Sequence, residues 1–256
     1  MTFFEIEIEI FSYVALQPSL KLETRGKKRT IMEYHQHDFE WQEHADRVLE
    51  EYKDTISENP NLDEEEKLNV LGKEARGHWE LFHTKHGGKS YKDRRYLNKA
   101  FPILNEKGKS LLELGCGYGS SLLPLIESNE QLMGIGCDFS KSAIATFTER
   151  IIEKKVNDRC LAFECDIVHE DFNVEPSSID IVLLVFCFSA IPPSAWDTVV
   201  EKINKVLKPG GVVCFRDYGL YDMTMLRSKN RLIKDVYARP DGTLAAFCSK
   251  GIKRLN

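Results

Sequence analysis

The strongest constraint on the fold of this chain is an apolar segment, residues 111–114, that runs directly into a glycine-rich turn at Gly115, Gly117 and Gly119. Because glycine carries no Cβ atom, backbone N–H groups in such a turn can come close to a ligand. A second apolar segment ends at Asp138, about twenty residues further along, where an acid can accept hydrogen bonds from a ribose diol. The spacing therefore predicts a strand, a turn and a helix that together hold a nucleotide-like cofactor.

The residues around the turn indicate which cofactor it holds. A dinucleotide-binding turn carries glycine at the last position of G-x-G-x-x-G, whereas Ser120 stands there in this chain. Glu113 precedes the first glycine and gives the pattern E-x-G-x-G-x-G, which favours S-adenosylmethionine over NAD. A glycine turn between a strand and a helix is also common in proteins that bind no cofactor. The strand, the spacing and Asp138 together favour a cofactor site.

From residue 110 onward the chain alternates between short apolar segments and helix-like segments. The apolar segments show no polar–apolar alternation, which is typical of parallel strands buried on both faces of a sheet. We therefore predict an α/β fold with a doubly wound, Rossmann-like sheet that binds ligands at the carboxyl ends of its strands. The predicted strands cover about 110–114, 132–137, 160–164, 179–188 and 212–216, and the predicted helices about 118–128, 140–154 and 196–207, with a turn at 208–211.

The N-terminal part of the chain has a different pattern. Residues 3–16 alternate like a strand, but no neighbouring segment offers a partner strand. Helix-forming residues dominate 41–52 and 63–82, so we predict two charged helices there. These patterns divide the chain into an N-terminal arm over 1–37, a helical extension over 38–100 and a cofactor-binding domain over 101–256.

Composition limits the classes of partner. The chain has 256 residues and a formal net charge of −5, so contacts with nucleic acid have to come from local basic patches, of which 85–99 is one. The seven cysteines form no C-x-x-C pair and lie mostly in apolar segments, which is typical of buried thiols in a reducing compartment. No segment has the length and apolarity of a membrane span, and no His or Cys cluster has metal-ligand spacing. We expect no membrane contact, no metal, and a location in the cytoplasm or also the nucleus.

Acidic residues follow two neighbouring strands of the predicted sheet. Because the carboxyl ends of parallel strands meet at one edge, Asp138 and Asp166 should share a crevice. We expect Asp138 to bind a ribose, and Asp166 with the N–H of Ile167 to bind an adenine ring, above a floor formed by Val185. A carboxylate after a strand also often caps a helix, and Val185 is equally compatible with ordinary core packing.

Two further segments carry charged and aromatic groups. Residues 215–219 leave the last predicted strand and place Arg216, Asp217 and Tyr218 near the same crevice, where they can orient a substrate. Residues 90–97 interleave Lys and Arg with tyrosines, a composition that binds phosphates and stacks on bases. An ordinary ion pair at a strand end and a solvated basic surface are the alternatives for these two segments.

Six short motifs in the chain resemble those of one enzyme family. They are Trp79-Glu80-Leu81-Phe82, Tyr91-Lys92-Asp93-Arg94, Leu114-Gly115-Cys116-Gly117, Cys137-Asp138-Phe139-Ser140, Val206-Leu207-Lys208-Pro209-Gly210 and Phe215-Arg216-Asp217-Tyr218-Gly219. Together they resemble the methyltransferase-like enzymes that make N3-methylcytidine in tRNA anticodon loops, over about 78–247. The Phe-Arg-Asp-Tyr-Gly and Lys-Asp-Arg elements are specific to that family, whereas the glycine turn is shared by most class I methyltransferases.

The resemblance implies an S-adenosylmethionine-dependent tRNA (cytidine-N3-)methyltransferase. The implied cofactor contacts are Trp79, His83, Gly115, Gly117, Asp138, Asp166, Ile167 and Val185. The expected catalytic or orienting residues are Asp217, Arg94 and Arg216, and the expected substrate contacts are Lys92, Arg95, Tyr96 and Tyr218. The implied partner is tRNA, through its anticodon stem-loop, and an aminoacyl-tRNA synthetase or another protein is a candidate second partner.

The end of the chain departs from the family pattern. Relatives continue beyond the position of Phe247 with a helix and two strands, whereas this sequence stops at Asn256. We therefore expect a C-terminally shortened sheet whose last predicted strand lacks its usual neighbours. Two alternatives to the tRNA enzyme stay open: a catalytically impaired relative that binds cofactor or a partner, and a class I methyltransferase that acts on a small molecule or a protein.

Overall fold

The main sheet of the protein has six parallel strands. The computed structural model describes residues 7–10, 41–52, 62–88 and 91–248. The strands are β1 (Glu7–Ile10), β2 (Ser110–Leu114), β3 (Met133–Asp138), β4 (Cys160–Glu164), β5 (Ile179–Val185) and β6 (Leu207–Arg216), and they pair in the order β1-β6-β5-β2-β3-β4. Most of the predicted N-terminal arm and everything beyond residue 248 lie outside the described residues.

Helices cover both faces of this sheet. They are α1 (Trp41–Glu51), α2 (Leu62–His86), α3 (Leu97–Ala100), α4 (Leu122–Ser128), α5 (Lys141–Glu153), α6 (Trp196–Val206) and α7 (Met223–Arg227). Successive strand residues point to opposite faces, so Leu111 packs with α4 and α5 while Leu112 packs with α6. The predicted doubly wound α/β fold is confirmed.

The N-terminal strand β1 has a partner. It lies parallel to β6, with Glu7 opposite Val212 and Ile10 opposite Phe215. No neighbouring segment pairs with this strand, as expected, but a strand far away in the sequence does, and the sequence pattern did not reveal it. Strand β6 therefore has β1 beside it on its outer edge.

The predicted turn at 208–211 lies inside β6. Ile179 pairs with Leu207 and Ile181 pairs with Val212, so the four turn residues bulge out of the strand opposite Asp180. Gly210 supplies the positive φ of +77° that this bulge contains.

A second, smaller sheet was not predicted. Its antiparallel strands are β7 (Arg231–Ile233), β8 (Val236–Ala238) and β9 (Leu244–Ala246), each too short for a periodic pattern to reveal it. Leu68 of α2 packs against Leu232 and Leu244 in an apolar cluster. Helix α2 thereby contacts the small sheet as well as the main domain.

The cysteines are free thiols, and six of the seven are buried. The predicted burial is confirmed, while the compartment in which the protein works stays a prediction. Within the described ranges, no helix combines the length and the apolarity that crossing a membrane demands. The same ranges hold no group of three or more His, Cys, Asp or Glu side chains that could bind a metal ion.

Candidate cofactor and substrate site

A cavity of about 340 Å³ lies at the carboxyl ends of the central strands. Strands β2 and β5 are neighbours in the sheet but not in sequence, which makes this the switch point where doubly wound sheets bind ligands. Every residue that the sequence and the family resemblance assigned to the cofactor lines this cavity: Trp79, His83, Gly115, Gly117, Asp138, Asp166, Ile167 and Val185.

The glycine turn forms one wall of the cavity, and glycine is required there for two reasons. Gly115 and Gly117 have φ values of +65° and +53°, a region that residues with a Cβ atom rarely adopt. A Cβ on Gly115 would lie 2.5 Å from Sγ of Cys187, and one on Gly117 would lie 3.3 Å from Cε1 of His83. The turn therefore leaves space that a ligand can use and a side chain cannot.

Asp138 connects this turn to the start of α5. Its Oδ2 accepts a hydrogen bond from the Gly117 N–H and its Oδ1 accepts one from the Ser140 N–H, each at 2.9 Å. Burial raises the pKa of Asp138, against the opposing effects of His83 and the two amides. Each carboxylate oxygen keeps a further lone pair, so the side chain can also accept hydrogen bonds from ribose hydroxyls.

The other end of the cavity suits an adenine ring. Oδ1 of Asp166 accepts hydrogen bonds from the N–H groups of Val168 and His169 at 3.0 and 3.2 Å, so this side chain also caps the turn after β4. Burial acts to raise its pKa, but the hydrogen bonds from the His169 ring and the two amides lower it overall. No described residue accepts a hydrogen bond from the Ile167 N–H, and Val185 is buried beside it in the cavity wall.

Glu113 lies beneath the glycine turn and does not reach the cavity. It is 1 % exposed, and its Oε2 accepts a hydrogen bond from the Leu122 N–H at 3.1 Å, which fixes the start of α4. Burial raises its pKa to about 7, although Ser121, Arg94 and the Leu122 amide act in the opposite direction. Its role in the E-x-G-x-G-x-G pattern is therefore to hold the turn against the helix.

We expect Glu113→Gln to change how stability depends on pH. The carboxyl titrates near 4.5 in the unfolded chain and at about 7 in the folded protein, so between these values the folded state binds more protons. Wild-type stability should therefore fall by up to about 3 kcal/mol as the pH rises through this interval, and the glutamine variant should not show this loss. Urea unfolding at about pH 5 and about pH 8 measures the difference. If the free energies of unfolding of the two proteins differ by the same amount at both pH values, the Glu113 carboxyl is already ionised at the lower pH.

One face of α2 forms a complete side of the cavity. The helix was predicted, but only Trp79 and His83 were assigned to the cofactor, and that came from the family resemblance. The other cavity-lining residues of α2 recur at intervals of three or four positions in the sequence. This spacing places them on one helix face with Trp79 and His83, and it could have been used to predict them. The residues of α2 that line the cavity are Leu68, Asn69, Gly72, Lys73, Ala75, Arg76, Trp79 and His83.

His83 has a buried polar atom that points to a bound molecule. The side chain is 7 % exposed, and its Nδ1 has no hydrogen-bond partner within the part of the chain that the structure describes. Burial lowers the pKa of His83, against the charges of Asp138 and Glu80, so the ring is neutral at neutral pH. An unpaired buried nitrogen costs free energy unless a ligand or water completes its hydrogen bond. The cavity therefore fits a polar cofactor.

Glu80 holds this helix in place. Its Oε2 accepts a hydrogen bond from Oγ of Ser140 at 2.7 Å, and its Oε1 accepts one from the Ser142 N–H at 3.2 Å. We expect Glu80→Ala to reduce the affinity for S-adenosylmethionine about fivefold, because a displaced α2 moves a cavity wall. Isothermal titration calorimetry measures this, with Glu66→Ala, an exposed position on the same helix, as the matched control. Equal losses in both variants would contradict this anchoring role.

Arg94 reaches the cavity from the basic segment before α3. Its Nη1 donates hydrogen bonds to Oγ of Ser120 at 2.5 Å and of Ser121 at 3.0 Å, and its backbone N–H donates to the Ser120 carbonyl at 2.8 Å. Its guanidinium lies over the rings of Tyr91 and Phe186, which also line the cavity. Of the three residues predicted as catalytic, Arg94 is the one that the structure brings to the cavity.

Asp217 and Arg216 lie outside the cavity lining. The Asp217 carboxylate is 2 % exposed and accepts hydrogen bonds from the N–H groups of Ser189 and Tyr218, each at 2.9 Å. Arg216 is 5 % exposed, and its guanidinium lies 4.8 Å from the centre of the Tyr96 ring. Both side chains support neighbouring structure, so their catalytic roles stay predictions that the cavity geometry does not support.

The predicted substrate contacts also lie outside the cavity lining. Arg95 is exposed and forms an ion pair with Glu127 at 3.0 Å, which is typical of a surface position. Tyr218 contacts Phe186, with ring centroids 5.1 Å apart, and is thus one residue removed from the cavity. None of the four side chains that were predicted to touch the substrate lines the cavity: Lys92, Arg95, Tyr96 and Tyr218.

Comparisons with known proteins show the family of this chain. Residues 111–211 match the family described as a methyltransferase domain. The chain is 36% identical over 212 residues to the tRNA N(3)-cytidine methyltransferase METTL6 of Homo sapiens, covering 78% of this chain and 74% of that protein. It is 33% identical over 225 residues to the tRNA(Thr) (cytosine(32)-N(3))-methyltransferase of Saccharomyces cerevisiae, covering 82% of this chain and 34% of that protein.

A third relative, the tRNA N(3)-methylcytidine methyltransferase trm140 of Schizosaccharomyces pombe, is 37% identical over 179 residues, which covers 65% of this chain and 57% of that protein. S-adenosylmethionine is the cofactor of this protein, and the glycine turn, the acid that ends β3 and the unpaired His83 nitrogen all fit it. By its sequence, the chain belongs to the family of tRNA N(3)-cytidine methyltransferases.

Proposed function

We propose that this protein methylates N3 of a cytidine in the anticodon loop of tRNA. The observation that carries the proposal is that all eight expected cofactor residues line one cavity, together with Arg94 and the rings of Tyr91 and Phe186. The substrate is supported by the relatives, whose names describe tRNA cytidine N3 as the position they modify.

The chemistry places particular demands on the protein. When bound, S-adenosylmethionine supplies a methyl group attached to a positively charged sulfur. Cytosine N3 has a free lone pair, so the chain needs no general base to remove a proton from it. The methylated ring is cationic, and the side chains around it must tolerate positive charge. The protein therefore contributes mainly position and electrostatics.

Separate parts of the cavity would hold separate parts of the cofactor. The Asp138 carboxylate would accept hydrogen bonds from the ribose hydroxyls, and the Ile167 amide and Asp166 would bind the adenine edge beside Val185. Arg94 offers a guanidinium beside the glycine turn, where it can bind the carboxylate of the methionine portion. Each of these groups still has a hydrogen-bond donor or acceptor position that a ligand can use.

The base has to be unpaired to react. N3 lies on the pairing edge of cytosine, so a loop cytidine or a flipped-out base is required. Tyr91 is 42 % exposed at the cavity edge, and aromatic faces of this kind stack on unpaired bases whatever their sequence context.

Mass spectrometry of nucleosides tests the proposal. Total tRNA is incubated with the protein and S-adenosylmethionine, digested, and analysed for N3-methylcytidine. Formation of this nucleoside supports the proposal, while cofactor binding with no methylated nucleoside overturns it. A protein partner is a further part of the proposal, and activity that appears only after a cognate aminoacyl-tRNA synthetase is added would identify one.

A further inference from the structure

Two arginines converge on a group of aromatic rings beside the cofactor cavity. Arg94 lies over the rings of Tyr91 and Phe186, at 5.3 and 5.7 Å from their centres. Arg239 lies 5.4 Å from the centre of the Tyr218 ring, and Tyr218 contacts Phe186. These contacts form a continuous path from the cavity to the small antiparallel sheet that carries Arg239.

The backbone at the centre of this group is strained. Phe186 has φ of +54°, and its N–H donates a hydrogen bond to the Arg216 carbonyl at 2.8 Å. Such a conformation costs on the order of 1 kcal/mol or more for a residue with a Cβ atom, and it is common at functional sites. The strain places one aromatic side chain in contact with both the cavity and Tyr218.

The guanidinium of Arg239 is held in a fixed position. Its backbone N–H donates a hydrogen bond to the Thr243 carbonyl at 2.8 Å, and its Nη1 donates one to Oγ1 of Thr243 at 3.3 Å. Thr243 is itself fixed, because its Oγ1 donates to Asp241 at 2.7 Å. Across the described ranges, no carboxylate lies within ion-pair distance of Arg239. The Arg239 charge does act to lower the pKa of the buried Asp217 carboxyl, against the effect of burial. The group is therefore an oriented cation that interacts with Asp217 at longer range and forms no direct ion pair with a described residue.

This cation acts on the edge of the cavity. Burial raises the pKa of Tyr91, and the charges of Arg239 and Arg94 both act in the opposite direction, so both guanidinium groups lie within electrostatic range of that hydroxyl. Like charges gathered in one place repel each other, and a bound anion would offset this cost. The arrangement thus suits an anionic ligand beside a stacked ring.

Resting on the proposed function, we propose that Arg239 binds a backbone phosphate next to the cytidine that is methylated, and so positions the unpaired base against Phe186 and Tyr218. The phosphate is favoured over the base itself because the base becomes cationic during the reaction. A guanidinium bound to the ring would oppose that charge, whereas one bound to the phosphate would not. Arg239 is accordingly a positioning residue for the RNA.

The first test is the salt dependence of tRNA binding. Arg239→Gln should raise KM for tRNA about tenfold and reduce the slope of log K against log salt concentration by about 0.7, the value for one contact to a single-stranded phosphate. Arg239→Lys should restore most of the slope, because a phosphate accepts a point charge. Lys107→Gln removes one exposed cation from the loop before β2, which lies at the amino ends of the strands and so away from the cavity, and should change neither quantity.

The second test changes the RNA as well as the protein, and thermal unfolding first confirms that Arg239→Gln is folded. An anticodon stem-loop carries a neutral methylphosphonate at one of the two phosphates that flank the cytidine. At one of these positions the wild-type protein should lose as much affinity as Arg239→Gln loses on the unmodified RNA, and the variant should lose nothing further. Independent losses at both positions, or an unchanged salt slope in Arg239→Gln, would overturn the inference. If the wild-type protein neither binds nor methylates tRNA, the proposed function itself fails.

Discussion

Gly115→Ala should reduce the affinity for S-adenosylmethionine by more than about a hundredfold. The φ of +65° costs an L-residue roughly 1 kcal/mol, and the added Cβ would lie 2.5 Å from Sγ of Cys187. Because that distance is far below van der Waals contact, the turn or Cys187 has to move, and both line the cavity. Calorimetric titration of the cofactor measures the loss, and thermal unfolding shows whether the variant is folded.

Gly108 provides a matched control for the steric part of this effect. It has φ of +69°, and a Cβ there would meet no atom within 4 Å. Gly108→Ala should therefore lose about 1 kcal/mol of stability and keep its affinity for the cofactor. Adding Cys187→Ala to the Gly115 variant should recover part of the affinity by removing the sulfur. Similar affinities for the Gly108 and Gly115 variants would show that the close contact with Cys187 does not matter.

The cofactor half of the site could be predicted from the sequence because its residues lie at strand ends. Apolar segments locate the strands, and parallel strands bring their carboxyl ends to one edge, so Asp138, Asp166 and Val185 meet wherever such a sheet forms. The glycine turn is equally local, since glycine is the residue that adopts positive φ values without steric cost. For these positions, it is enough to know that each residue follows a parallel strand in order to predict which side chains become neighbours.

The substrate half depends on contacts between distant segments and on side-chain direction. Asp217 follows β6 at the expected edge, yet its carboxylate turns to the Ser189 amide, which no sequence pattern reveals. Arg239 comes from a hairpin of three-residue strands that carry no periodic signal. The pairing of β1 with β6 joins residues 7–10 to residues 212–215, and only the folded structure shows it.

Asp138→Asn is expected to lower the affinity for S-adenosylmethionine at least about a hundredfold, equivalent to about 3 kcal/mol. Each carboxylate oxygen accepts a hydrogen bond from one backbone amide, that of Gly117 or that of Ser140. An asparagine has a single acceptor oxygen, so in either orientation its NH₂ group faces an N–H donor. The glycine turn or the start of α5 then loses its partner, and one acceptor for the ribose is lost as well.

Asp166→Asn provides the matched comparison for the loss of cofactor affinity in Asp138→Asn. Here one oxygen, Oδ1, accepts both backbone hydrogen bonds, from Val168 and His169, and Oδ2 contacts only the His169 ring. An asparagine can keep its oxygen at the Oδ1 position, so we expect the affinity to fall no more than about tenfold. Calorimetry on both variants measures the ratio. A larger loss at Asp166 than at Asp138 would contradict this account, because at Asp138 each oxygen accepts from its own backbone amide and an asparagine in either orientation can keep only one of these hydrogen bonds.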